Sequence, residues 1–314
     1  MNRRRFLKSL LVPAALSAAS KDARAQTRRR AARHAAPGAG KIERVGVSSR
    51  SFQDFFESTH DPAAPAPPGR LALLDFPQMI ADRYKVHNLE LAAPHFASLE
   101  PAYLLELKAN LVRAHSRLIN IPVHIPELEA GAGLSDSTAA VRAAAIAASK
   151  KWIDIARQLG ARSVRCDPGT VDPDNVAATV DSYRQLAAYG RAKGVAVLIE
   201  NHDAIGSARP ETLVILVRGV ASPFMGTLPD FGSFPDDSAR ERALNMLFPY
   251  ARTTCHALGQ SLDAGGNETA FNFQACVQIA QRSAFKGMYS IEYEGSGDAY
   301  QGVQGVVNEL LRFL

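Results

Sequence analysis

Val195–Ser207 reads VAVLIENHDAIGS. It begins as a buried strand, apolar from Val195 to Ile199, and then passes without a break into Glu200, Asn201, His202 and Asp203. A surface turn would explain such an ending if it occurred once. The rest of the chain decides between that reading and a strand whose end opens into an active site.

From residue 42 onward, short apolar runs alternate with helix-period segments. Strands are expected at Arg44–Ser49, Asn88–Leu91, Leu118–Val123, Ser163–Cys166, Ala196–Glu200, Met225–Leu228, Thr253–Ala257 and Met288–Tyr293. Helices are expected at Leu71–Tyr84, Pro101–Ser116, Thr138–Leu159, Pro173–Ala192, Arg209–Val220, Asp236–Leu247, Asn272–Arg282 and Gln301–Leu314. Strict alternation implies parallel strands covered by helices, and eight such units in residues 42–314 predict an α/β fold, a single (β/α)₈ TIM barrel. A doubly wound open sheet would usually carry a glycine-rich phosphate turn after its first strand, and Val45–Ser51 has no such pattern. The Pro/Ala-rich stretch Asp61–Arg70 is expected to be a loop over the barrel mouth, acting as a lid or a stiff spacer.

In such a barrel the active site lies at the C-terminal ends of the strands. Glu200 therefore points into the mouth, and three later strands end in the same manner, at Asp230, His256 and Glu292. The separations are 30, 26 and 36 residues. Each is about one βα unit, so four successive strands place one ligand-type side chain each around a common point. Three carboxylates and an imidazole suit a divalent ion such as Mn²⁺, Mg²⁺, Co²⁺ or Zn²⁺; Mn²⁺ is the expected one. Without a cation, carboxylates brought that close would repel one another until one took up a proton.

The first residues read as an address. Arg3, Arg4, Arg5 and Lys8 precede an apolar run from Leu10 to Ala19 that is too short to span a bilayer, and Ala23-Arg24-Ala25 offers a cleavage site. The order RRRFLK is similar to a twin-arginine export signal, with Asn2 where Ser or Thr is more usual. Residues 1–25 are thus expected to be a signal peptide, 26–41 a basic linker and 42–314 the barrel. This predicts a periplasmic protein handled by the twin-arginine machinery, a route used by proteins that fold before they cross. The whole chain carries +5; residues 1–41 contribute +10, so the remainder is −5. A mildly acidic body gives no electrostatic footprint for nucleic acid. Cys166, Cys255 and Cys276 are odd in number and lack C-x-x-C spacing, so no disulfide framework or zinc ribbon is read from them.

Taken together, GVSSRSF, NLELAAPHF, LIENH, LPDFGSF, CHAL followed by DAGGNET, and SIEYEG resemble the xylose isomerase-like barrels, the sugar phosphate isomerases and epimerases. The resemblance implies that Glu200, Asp230, His256 and Glu292 are metal ligands. It further implies that Glu200 and Glu292 are the catalytic pair that moves protons on a sugar or keto-sugar, by proton abstraction beside a carbonyl through a metal-stabilised enediolate. Many sugar epimerases and the DNA-repair endonuclease relatives carry a His three residues after the Asp, where this chain has Ser233. Partial matches to the endonucleases' additional ligands survive at His95, His124 and Asp263. A mononuclear site is therefore expected.

Other residues near strand ends are candidates for substrate contact. His95 and His124 follow apolar strand ends and either touch substrate hydroxyls or pack against backbone. His202 touches substrate, orients a ligand or is a solvated loop residue. Arg165 holds an anionic group or pairs with Asp167 or another wall carboxylate. Glu90 faces the barrel interior or its mouth. Cys255 alternates away from His256 and is read as packing. Three functional alternatives stand beside a sugar isomerase or epimerase: an exported lyase or hydratase acting on 3-keto-glycosides, an endonuclease IV-like metal hydrolase, and a non-catalytic carbohydrate-binding barrel. Both monomer and homo-oligomer are compatible with the sequence.

Overall fold

The computed structural model describes residues 39–61, 63, 69–128, 133–172, 176–202 and 209–314. The expected signal peptide, almost all of the linker, most of the Pro/Ala-rich loop, the first residues of the helix expected at Pro173, and Asp203 lie outside the described residues. Residues Gly40–Leu314 form a compact unit of their own.

Its strands are β1 (Val45–Ser48), β2 (Asn88–Glu90), β3 (Arg117–Val123), β4 (Ser163–Cys166), β5 (Ala196–Glu200), β6 (Met225–Leu228), β7 (Thr254–Gly259) and β8 (Met288–Tyr293). The helices that follow them are α1 (Phe76–Tyr84), α2 (Pro101–Arg113), α3 (Ala139–Leu159), α4 (Ala177–Lys193), α5 (Pro210–Val220), α6 (Asp237–Leu247), α7 (Phe273–Arg282) and α8 (Ala299–Phe313). All strand pairs are parallel, in the order β6-β5-β4-β3-β2-β1-β8-β7. The remaining seam, between β6 and β7, is joined by the parallel bridges Thr227–Ala251 and Asp230–His256. The result is the single (β/α)₈ barrel that the alternation predicts.

The outer face of the sheet buries Val45, Val47, Leu89, Val164, Val197, Ile199, Tyr289 and Ile291 in one large core shared with the helices. That core follows from the continuous apolar character of strands covered on both sides. Cys255 belongs to it, as alternation predicts. Apolar residues inside the barrel are few: Ala196, Leu198 and Leu228 form a small separate cluster. Much of the remaining interior is polar and buried, including Ser48, Asn88, Glu90, Ser163, Arg165, Glu200, His256 and Glu292. Barrel cores are usually filled by bulky branched side chains. This one carries its chemistry down into the core.

Helix limits follow local signals. Asp236, Asn272 and Asp298 cap α6, α7 and α8 by accepting from the amides of Ala239, Ala275 and Gln301. Gly160 ends α3 at φ 90°, in the left-handed region that glycine enters without steric penalty. Among the described residues, no helix is long and apolar enough to cross a membrane.

Candidate active site

Glu200 ends β5, Asp230 lies two residues beyond β6, His256 is third in β7 and Glu292 fifth in β8. Their ligand atoms lie within 4.8 Å of one another, and all four residues are buried. His256 Nδ1 is the hub: it touches Glu200 Oε1 and lies 3.4 Å from Asp230 Oδ2 and 3.5 Å from Glu292 Oε2. Each carboxylate is also held from behind. Ser48 Oγ donates to Glu292 Oε1 at 3.0 Å. The Asn201 side chain accepts from the Asp230 amide at 2.9 Å and donates to the Asp230 carbonyl at 3.1 Å, which continues the β5–β6 pairing beyond the strands. Asp230 Oδ1 accepts from the Gly232 amide.

The electrostatics of this set decide whether a cation fits. Burial pushes the Glu292 carboxyl above the ordinary carboxylate range; His256 counters this, while Glu90 and Asp230 add to it. Burial alone would lower His256, yet the carboxylates of Glu292 and Glu90 raise it well above the usual imidazole value. Among the described residues, five buried carboxylates, on Glu90, Asp167, Glu200, Asp230 and Glu292, meet the guanidinium of Arg165 and the imidazoles of His256 and His202. Negative charge buried in excess of its counter-charge is what a divalent cation relieves, and three hard oxygens with one nitrogen are a suitable donor set. The residues present therefore fit a divalent metal ion.

Arg165, 4% exposed, borders the site on the β4 side. Its guanidinium pairs with Glu200 Oε2 and with Asp167 Oδ2, the latter at 3.1 Å, and its Nη2 faces the His124 ring. It is thus committed to wall carboxylates rather than left free for an anionic group. Burial would raise Asp167, but Arg165 and His202 hold it below the ordinary carboxylate range. His202 Nε2 is 3.3 Å from Asp167 Oδ2, and Asp167, Glu200 and His202 form a second cluster sharing Glu200. Burial and Arg165 lower His124 well below the usual value, so it stands neutral and half-buried at the mouth.

The remaining candidates sit elsewhere. His95 is packed flat on Phe56, with ring centroids 4.0 Å apart, and its Nδ1 is 2.8 Å from Ser49 Oγ. It is a buried packing residue and not part of the converging set. Glu90 is fully buried beneath His256, its Oε1 2.8 Å from His256 Nε2. It faces the interior and does not line a substrate surface. Asp263 caps its own exposed loop through the amides of Gly265 and Asn267.

A family model described as the xylose isomerase-like TIM barrel matches residues 86–314. The chain belongs to the xylose isomerase-like TIM barrel family. No curated protein matches its sequence significantly. Among solved structures, D-psicose 3-epimerase from Clostridium cellulolyticum H10 with D-tagatose is 15% identical at a TM-score of 0.63, covering 86% of this chain and 96% of that one. A xylose isomerase-like barrel protein from Mycobacterium smegmatis in complex with magnesium is 13% identical at a TM-score of 0.60, over 86% and 97% of the two chains. The IOLI protein with a bound zinc atom is 12% identical at a TM-score of 0.64, over 86% and 99%. At these identities the likeness is one of fold.

Within the family barrel, sequence reasoning missed Ser48, Asn120 and Asn201 as residues of the site. Ser48 and Asn201 each adjoin a strand end, and that position was the available signal. Asn120 had none, because a register shift between Leu89 and Glu90 pairs Glu90 with Asn120 and leaves Ile119 as the extra residue.

Proposed function

We propose that this chain is a divalent-metal-dependent isomerase or epimerase of sugars that works by proton abstraction next to a carbonyl, with manganese as the favoured ion. One observation supports this above all: Glu200 and Glu292 face a common buried point that they share with Asp230 and His256. A divalent cation held by these four side chains would supply Lewis acidity toward the carbonyl and hydroxyl oxygens of a substrate.

The chain's own residues perform the rest. A proton beside a carbonyl is removed by one glutamate and returned by the other, the general acid–base work that two converging carboxylates can do. Arg165 and His256 fix the orientation of Glu200, and Ser48 fixes that of Glu292. His124 and His202, half-buried at the mouth, are placed to meet substrate hydroxyls. A sugar substrate is supported by the family and by the epimerases among its structural neighbours. We further read residues 1–25 as an export signal and 26–41 as a linker, so that the substrate is a free sugar or keto-sugar met outside the cytoplasm.

The test is solvent exchange. Manganese-loaded protein incubated with ketohexoses in deuterium oxide should place deuterium on the carbon beside the carbonyl, followed by NMR. Glu292→Gln should reduce the rate by roughly 10²–10⁴-fold. Wild-type protein with a bound cation that exchanges no proton in any ketose would contradict the reading.

A further inference from the structure

A line of side chains, buried except for half-buried Thr253, crosses the barrel interior and ends on His256. Thr253 Oγ1 is 2.6 Å from Ser163 Oγ, which donates to Asn120 Oδ1 at 2.8 Å; Asn120 Nδ2 donates to Glu90 Oε2 at 2.9 Å. Glu90 Oε1 in turn lies 2.8 Å from His256 Nε2. Thr253 precedes β7 and stands on the wall of a cavity of about 490 Å³ at the opposite, N-terminal end of the barrel. Asn120 reaches Glu90 because the β3 bulge turns both Ile119 and Asn120 inward, where strict alternation would turn one of them out.

The protons of this line run in one direction. A hydroxyl has a single proton, so Ser163, donating to Asn120, must accept from Thr253. Asn120 presents its oxygen to Ser163 and therefore its amide hydrogens to Glu90. Glu90 accepts at both ends as a carboxylate, so His256 Nε2 must carry the proton it shares with Glu90. Nδ1 also meets a carboxylate, Glu200, so without a cation both ring nitrogens carry protons; a cation bound among Glu200, Asp230 and Glu292 would take the place of the Nδ1 proton and leave Nε2–H donating to Glu90. Ligating histidines typically donate their other ring N–H to a carboxylate in this way.

We propose that Glu90, Asn120, Ser163 and Thr253 are positioning residues that fix the tautomer and ring orientation of His256, and so set the metal affinity of the site from the far side of the barrel. This rests on the metal-binding reading above. None of the four touches the ion position, and each acts through the next residue along the line.

The test measures Mn²⁺ affinity of metal-stripped full-length protein by calorimetric titration, together with the ¹⁵N imidazole resonances of His256 in zinc-loaded samples. Glu90→Gln should weaken binding by roughly 10–100-fold. Asn120→Leu should weaken it less, and the near-isosteric Thr253→Val least, with the fold of each checked by circular dichroism. Wild type should show the proton on Nε2, and Glu90→Gln should show it redistributed. Ser290→Ala, at a buried β8 hydroxyl with no hydrogen-bond partner, should leave affinity and tautomer unchanged. Unchanged affinity and tautomer in folded Glu90→Gln, or a loss in Ser290→Ala equal to that in Asn120→Leu, would overturn the positioning role alone. A wild type that takes up no cation would overturn the metal reading and this inference with it.

Discussion

His95 shows how burial converts a candidate ligand into a source of acid sensitivity. Burial, reinforced by Arg50, lowers its pKa from 6.5 to about 3. As pH falls, the unfolded chain takes up a proton on this residue before the folded protein does. The folded state is therefore fully favoured above about pH 6.5 and loses stability from there down toward about 3, by roughly 1.4 kcal/mol per pH unit from this single group. His95→Phe keeps an aromatic ring against Phe56 and removes the titration. Denaturant unfolding of the variant between about pH 7 and about pH 4 should show an acid limb shallower by one proton; an unchanged limb would assign the acid sensitivity to other groups. Residues of this kind divide by legibility. Glu200, Asp230, His256 and Glu292 were readable because each interrupts an apolar strand where side-chain alternation leaves little choice of direction. Glu90 also ends a strand and His95 lies in the 3-10 turn that follows it, but only the neighbours that the fold brings in, His256 and Asn120 for Glu90 and Phe56 and Ser49 for His95, decide what they do.

At the scale of elements, the helix-to-strand turns are under tighter control than the strand-to-helix loops that carry the site. Gly190, one turn from the end of α4, packs so closely on the turn into β5 that a Cβ there would strike the Val195 carbonyl oxygen. Helix propensity alone would favour alanine by about 1 kcal/mol. Forcing an atom into a packed site typically costs about 1–3 kcal/mol, and a backbone oxygen cannot swing aside as a side chain can. Gly190→Ala is accordingly expected to lower stability on balance, read as a reduced denaturation midpoint; a gain would show that α4 shifts freely on β5. Strands were legible to within two residues, since apolar runs are unambiguous once their period is fixed. Helix starts were less so. The helix expected from Leu71 begins at Phe76, where Pro77 occupies the first turn and Leu71–Asp75 form irregular backbone. The β3 bulge was illegible for a different reason: nothing in LINIPV distinguishes an extra residue from regular alternation.

For the whole molecule, the barrel places its site where the sheet is least continuous. β7 and β8 pair over six residues from Thr254 to Gly259, whereas β6 and β7 meet through isolated bridges, one of them between Asp230 and His256 themselves. The backbones of two of the four site residues thus help to close the barrel, and the Asn201 side chain reinforces the β5–β6 edge beside them. The alternation of eight strands and helices made this architecture readable from the sequence, as did the four-strand spacing of the site residues. The polar interior beneath them was not readable, because serine, asparagine and threonine within a strand read as tolerated polar positions until contacts link them across the barrel. We propose that the four strand-end side chains together bind a single divalent ion. Elemental mass spectrometry on the purified chain, after supply of manganese and removal of loosely bound ions, tests this most directly beside Glu200→Gln and Asp230→Ala. A single-ion site should give close to one ion per wild-type chain and a marked loss in both variants. Retention of no ion, of about three, or of the same amount in all three proteins would contradict it.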